Sequence, residues 1–225
     1  DSIIVHNTTI ETNLKGSNIN NLVGDLKANN INFSTKKGTF DIKEVVFQAS
    51  GDEINRLLTV SSDVVIASLI GQIDLKTIVP YFKMLAMRYA PAIGFETELY
   101  NNQNFELDLQ IKSFEPIATF FKKEISLDSG ATMHAKFSSE ENAAQFNLYS
   151  PIFKYSGIKI SNLIVDQISN TESMSVSASA DRINLTDSTY IKNVNIANIL
   201  SNDSLRFNLK LSELDASNNL DLNGV

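Results

Sequence analysis

Chemistry at a protein site needs reactive groups brought together, and few side chains in this sequence can supply them. His6 and His134 are its two histidines. They lie far apart, each in a strand-like run with no carboxylate spaced to make a metal pair, so both read as solvent-facing or strand-lining. The acidic pairs Asp52-Glu53 and Glu140-Glu141 fall in the turn-like stretches "SGDEIN" and "SSEENA", where solvated carboxylates are routine. There is no cysteine, which removes disulfides and thiolate-bound zinc and suits a cytosolic or an envelope compartment equally. Dinucleotide, P-loop, nucleophile-elbow and calcium-loop signatures are all missing. Asn7-Thr8-Thr9 and Asn184-Leu185-Thr186 match a glycosylation acceptor, as chance allows in so asparagine-rich a chain. The expectation is therefore no enzyme, no catalytic residue, no metal and no cofactor.

The elements that would carry any other site are mostly strands. At 225 residues and 43% apolar content the chain can bury a core. A net charge of -7 without a basic tract argues against nucleic acid, since nothing would replace its condensed counterions. The longest apolar run, about Val64 to Ile70, falls far short of the ~20 residues a membrane-spanning helix needs. "DSIIVHNTTIE" has neither the basic start nor the apolar core of a signal peptide, and both ends read as strands in mid-pattern, as in a piece of a longer chain.

Short runs rich in Ile, Val, Phe, Leu and Thr alternate with period two between Asn, Ser, Asp and Gly, which is strand and turn chemistry. A helix is predicted over about 77–91: Thr77 caps it, Pro80 is tolerated in the first turn, and Ile78, Phe82, Leu85 and Tyr89 share a face. Packed on a sheet, that face makes a plug or side wall. A shorter helix is predicted over about 114–124, with Pro116 in its first turn and Lys122 and Lys123 near its end.

Two patterns recur. Ile42-Lys43-Glu44-Val45-Val46-Phe47 returns as Ile160-Ser161-Asn162-Leu163-Ile164-Val165 and as Ile191-Lys192-Asn193-Val194-Asn195-Ile196, each time with apolar parity slipping by one residue. A small residue, a turn former and apolar residues two apart recur at Ala28 to Phe33, Ser150 to Tyr155 and Ala180 to Leu185, and more loosely at Ser62 to Ile66. The spacing of about 30 residues marks a repeated unit of several strands. A slip at one place in each unit re-aims side chains as a bulge or corner does, and predicts a sheet bent around its own apolar face.

The predicted architecture is a mainly β, elongated, curled, repetitive sheet forming an open groove over residues 1–225, with one or two short helices. Its lining would include Phe33, Phe47, Val65, Phe146, Phe153, Val165 and Ile196, with Ile78, Phe82, Leu85 and Tyr89 on the helix facing the groove. An apolar groove of that length suits acyl chains, whereas a closed sandwich core would bury the same residues with no ligand. A surface adhesin, glycan binder or scaffold would need exposed aromatics on an outer face, and Trp is absent. A hydrolase or lyase on a β-helix lacks the carboxylate and histidine cluster it would require.

The order of "LTVSSDVVIASLIGQIDLKTIVPYFKMLAMRYAP", "FELDLQIKSFEPIATFF", "ISLDSGATMHAKF", and then "SADRINL" and "SLRFNLKLS", resembles the C-terminal part of the TamB-like translocation and assembly proteins of the Bacteroidota type, within the AsmA-like group. The resemblance covers nearly the whole chain and rests on the order of features. It implies a taco-shaped β-sheet with an apolar channel, in a periplasmic protein anchored in the inner membrane. It also implies movement of phospholipid toward the outer membrane and an outer-membrane barrel assembly protein as partner. The family has no catalytic residues to carry over, and its anchor and extreme C-terminal partner-binding region are not evident in these residues.

Overall fold

A computed structural model describes residues 4–5, 7–35, 38–74, 76–89, 103–118, 125–141, 143–212 and 219–224. The alternating runs become fifteen strands: β1 (Ile4–Val5), β2 (Thr9–Thr12), β3 (Gly24–Thr35), β4 (Gly38–Ser50), β5 (Arg56–Ser62), β6 (Val65–Gln72), β7 (Asn104–Ile111), β8 (Ile125–Leu127), β9 (Thr132–Ser138), β10 (Ala143–Tyr155), β11 (Ile158–Ser169), β12 (Met174–Asn184), β13 (Tyr190–Ser201), β14 (Ser204–Ser212) and β15 (Asn219–Gly224). All pair antiparallel in one open sheet, along the path β1-β3-β4-β5-β6-β7-β9-β10-β11-β12-β13-β14-β15, with β2 on β3 and β8 on β10. The predicted mainly β, unclosed sheet is therefore the architecture, with two short α-helices among the described residues, α1 (Ile78–Tyr89) and α2 (Glu115–Ala118). Residues 119–124 of the second predicted helix lie outside the described residues.

Period-two alternation gives the sheet two unlike faces. One carries Leu69, Leu107, Leu109, Ala135, Phe146, Val165 and Ile196; the other carries Ser68, Asp108, His134, Asn147 and Asp166. Both helices pack on the apolar face. Tyr81 and Tyr89 of α1, 1% and 0% exposed, join Ile73, Phe105, Ala135, Phe137 and Ala144 in one core, with Ile78, Met84 and Phe146 against it. At the other strand ends Ile117 and Ala118 of α2 pack with Val65, Leu109, Ile111, Phe114, Ile125 and Leu127.

The slip in the repeats is a crease in the sheet. Ladder pairing is interrupted where Asn30 stands opposite Lys43, Pro151 opposite Asn162, and Asp181 opposite Asn193, and it resumes in unchanged register. Asn30, Asn162 and Asn193 have φ of 55°, 51° and 47°. Asparagine suits this left-handed backbone because its short amide bonds locally. One such residue reverses parity: Leu148 and Phe153 lie on one face although five residues apart, because Phe153 pairs with Leu127, which packs on the same buried cluster of Ile111, Phe114 and Ala131 as Leu109 does. Freed polar groups find other partners. Lys43 N donates to Asp63 Oδ1 at 3.2 Å, Asn162 Nδ2 to Asp181 Oδ2 at 2.7 Å, and Ser150 Oγ to the Ile152 carbonyl at 2.9 Å.

The three copies of the first pattern occupy equivalent places. Phe47, Val165 and Ile196 lie in one row across the sheet, and Ile42, Ile160 and Ile191 lie just beyond the crease. The first copy differs in having Glu44 where the others have a left-handed asparagine; Asn30 on its neighbour takes that conformation. Ser62, Val65 and Ile111 end β5, β6 and β7 at the crease, and there α2 lies between β4 and β8.

Candidate functional site

The apolar face carries a continuous spine. Leu26, Phe47, Val60, Ala67, Leu109, Met133, Leu148, Val165, Ala178, Ile196 and Leu209 are successive cross-strand partners, one per strand, with Leu222 next in register. At ~4.8 Å per strand, the ten steps from Leu26 to Leu209 run roughly 48 Å perpendicular to the strands. No polar side chain interrupts the row. That length exceeds one leaflet of a hydrocarbon core, roughly 15 Å, about threefold.

Three structures bound the spine. On one side lies α1, fixed at both ends. Gln103, fully buried, donates from Nε2 to the Asp74 carbonyl at 2.9 Å and to Thr77 Oγ1 at 3.0 Å. At the other end Asp203 N donates to the Tyr89 carbonyl at 3.1 Å, and Tyr89 Oη donates to the Asn170 carbonyl. The helix thus ties the start of its own loop to the β11–β12 and β13–β14 turns. Opposite it, beyond the crease, the outer parts of β10 to β13 form a flap lined by Phe153, Ile160, Ile183 and Ile191. The third boundary is α2, which covers Val65 and Leu109.

The expected lining residues separate accordingly. Phe47, Val165 and Ile196 are in the spine, and Phe153 lines the flap. Phe146 and Val65 share the face but are packed under the α1 and α2 clusters, so neither lines open surface. Phe33 is 5% exposed and stacks on Phe40 with ring centroids 5.6 Å apart. It is core, because the pair fills the corner beyond the crease. On α1, Ile78 and Tyr89 pack in the core against the sheet, while the side chains of Phe82 and Leu85 lie outside the described residues. Tyr81 and Met84 also face the sheet; their i+3 spacing from Ile78 and Tyr81 was the available signal.

Farther along, the apolar face is open. Ile196, Leu205 and Phe207 are 36%, 49% and 41% exposed. Most inner residues of β11 to β14 are half-buried, as in a single layer shielded by its own neighbours.

The polar face holds the candidate reactive groups. His134 Nδ1 lies 2.7 Å from Asp108 Oδ1 across β7 and β9, a pairing that sequence spacing does not display. Lys136 pairs with Glu106 at 2.8 Å, raising the lysine and lowering the carboxyl from their ordinary values, first through the hydrogen bond and then through charge. Both pairs are about half exposed and contribute little to stability. A hollow of about 570 Å³ lies beside Ile66, Ser68, Asp108, His134, Asn147, Tyr149, Ile164 and Asp166 of this face, and atoms of Leu109, Met133 and Leu148 from the spine strands also line it. His6 lies outside the described residues. Asp52 accepts from Ile54 N and Asn55 N at 2.9 and 2.7 Å, a turn role whose backbone donors hold its carboxyl below the ordinary value. Among the described residues no three histidine or acidic side chains are grouped as metal ligands, and no helix is long and apolar enough to cross a membrane. Compared with protein-family models, curated proteins and solved structures, the chain has no match.

Proposed function

We propose that this chain is a segment of a lipid-transfer bridge, holding phospholipid acyl chains along the spine of its apolar face. The observation that carries the reading is the unbroken apolar row across eleven strands, bordered by α1 and the flap, covered by α2 at Leu109, and half-open from β11 to β14. Each buried CH₂ contributes about 0.8 kcal/mol without directional requirements, so a chain can shift along such a row with little change in energy. The resemblance to TamB-like proteins extends the reading to an envelope protein anchored in the inner membrane and crossing the periplasm, with an outer-membrane barrel assembly protein as partner. No catalytic step is assigned to it.

Photocrosslinking in cells tests the reading, with probes at Phe153, Val165 and Ile196 and controls at Gln145 and Ser175 on the polar face. Lipid adducts at the first set alone are expected. Equal labelling of both sets, or none, refutes the groove. A role in recognition or as a scaffold is then the better account, and the polar-face hollow beside the half-exposed Tyr149 is the observation that favours it.

A further inference from the structure

Arg88 brings a cation to the apolar side of the sheet. It stands in the last turn of α1, four residues after Met84 and seven after Tyr81. At about 100° per residue this places it between Tyr81 and Met84 on the arc of the helix that packs on the sheet. The residue is half-buried, and its Nη1 is buried without a hydrogen-bond partner. Among the described residues nothing makes an ion pair or hydrogen bond with Arg88. Burial raises the Tyr81 hydroxyl above its ordinary value, and the Arg88 charge works against that rise, so the guanidinium lies toward the core. Glu172 and Asp203, the carboxylates of the two turns that hold this end of the helix, are exposed and do not pair with it. A cation in a last turn gains from the helix dipole, and its long stem allows the head to reach water. Holding one nitrogen buried and unbonded against an apolar cluster costs stability instead.

Position gives the cation its use. Phe146 and Leu200, packed against the same cluster as Tyr81 and Tyr89, are two and four residues from Leu148 and Ile196 of the spine. At ~3.3 Å per residue those offsets are roughly 7 and 13 Å, which the glycerol backbone and first methylenes of a lipid can span. Gln167 lies directly across from Phe146, on the inner face two residues from Val165. It is 4% exposed, and its amide has no hydrogen-bond partner among the described residues. Two polar groups without partners thus stand on the α1 side of the spine, one of them a guanidinium whose planar fork matches two oxygens of a phosphate. We propose that Arg88 binds the phosphodiester of a phospholipid whose acyl chains lie along the spine, with Gln167 as a second donor. The end of α1 is then a head-group station in the groove. The inference rests on the acyl-binding reading above and adds to it the group that halts a lipid on a row with no directional preference of its own.

The test compares extraction, from phosphatidylcholine vesicles, of a trace of labelled phosphatidylcholine and of labelled diacylglycerol with identical acyl chains, using the whole chain and Arg88→Met. The parent is expected to favour the phospholipid about tenfold, the order of one hydrogen bond to a charged group. The variant should lose that preference while still extracting diacylglycerol. Without lipid it should unfold at equal or higher urea than the parent, since methionine keeps an unbranched stem and removes an unsatisfied cation. Equal extraction of both lipids by the parent, or an unchanged preference in the variant, overturns the Arg88 site and leaves the groove standing. A lowered urea midpoint with unchanged preference marks Arg88 as a helix cap and likewise overturns it. Arg88-dependent extraction of the matching free fatty acid, but not of phosphatidylcholine, would make the ligand a carboxylate and overturns the phosphate assignment. Extraction of neither lipid by the parent overturns the site and the acyl-binding reading together.

Discussion

Replacing Asn193 by valine tests the crease against ordinary strand preference. Strand scales favour valine over asparagine within a span of about 1 kcal/mol, so a regular strand would gain from the change. Asn193, however, has φ of 47°. Left-handed backbone costs an ordinary L-residue about 1–2 kcal/mol, with β-branched residues worst placed and asparagine spared part of the cost. The net expectation for Asn193→Val is a loss of about 1–2 kcal/mol. For Asn193→Gly, relief of the Cβ contact offsets the entropy cost of glycine in a strand, ~0.5–1 kcal/mol, and the change should be near neutral. Asn195→Val, two residues along the same strand at an exposed position of ordinary φ, loses one exposed 3.3 Å bond from Asn195 Nδ2 to the Asn193 carbonyl against its gain in strand preference and should be near neutral. Equilibrium urea unfolding of the three variants ranks them. A valine at 193 tolerated as well as one at 195, together with a destabilising glycine, would show that the strand is regular there and that the crease argument is wrong.

Tyr89→Phe removes only the hydroxyl bond to Asn170 and should cost about 1 kcal/mol, whereas Tyr89→Ala empties a fully buried site and should cost roughly 3–5 kcal/mol, both read from urea midpoints. Val165→Asp places a charge in the middle of the spine and should abolish lipid labelling from Ile196, while Ile196→Val should leave it unchanged. Asp74 starts the turn leading into α1. Burial raises its carboxyl, but donation from Lys76 N and Asn20 Nδ2 at 3.0 and 2.7 Å outweighs this and leaves it below the ordinary 3.8. Because the folded carboxyl titrates below the unfolded one, this stability is present above about pH 4 and lost as pH falls through the folded value. The urea midpoint of wild type should therefore drop more than that of Asp74→Asn between about pH 6 and pH 3.

Local periodicity fixed much of this protein before any pairing was known. Alternation alone puts Val165 with Leu163 and Ile196 with Val194 on one side of their strands, because successive side chains point oppositely, and the one-residue slip announces the crease. The helix at Ile78–Tyr89 was legible for the same reason, since its apolar spacing and first-turn proline are local. Tertiary structure decided what those faces meet. Only strand order lines Phe47 up with Val165 and Ile196, and only register sets Lys154 against Lys159 or brings Asp108 to His134, 26 residues apart. The covering of Phe146 and Val65 depends on where α1 and α2 come to rest. For α1 that place is set by bonds from Tyr89 to Asn170 and Asp203, contacts between residues 81 or more apart that no local pattern encodes, because side-chain periodicity specifies a face and not its partner.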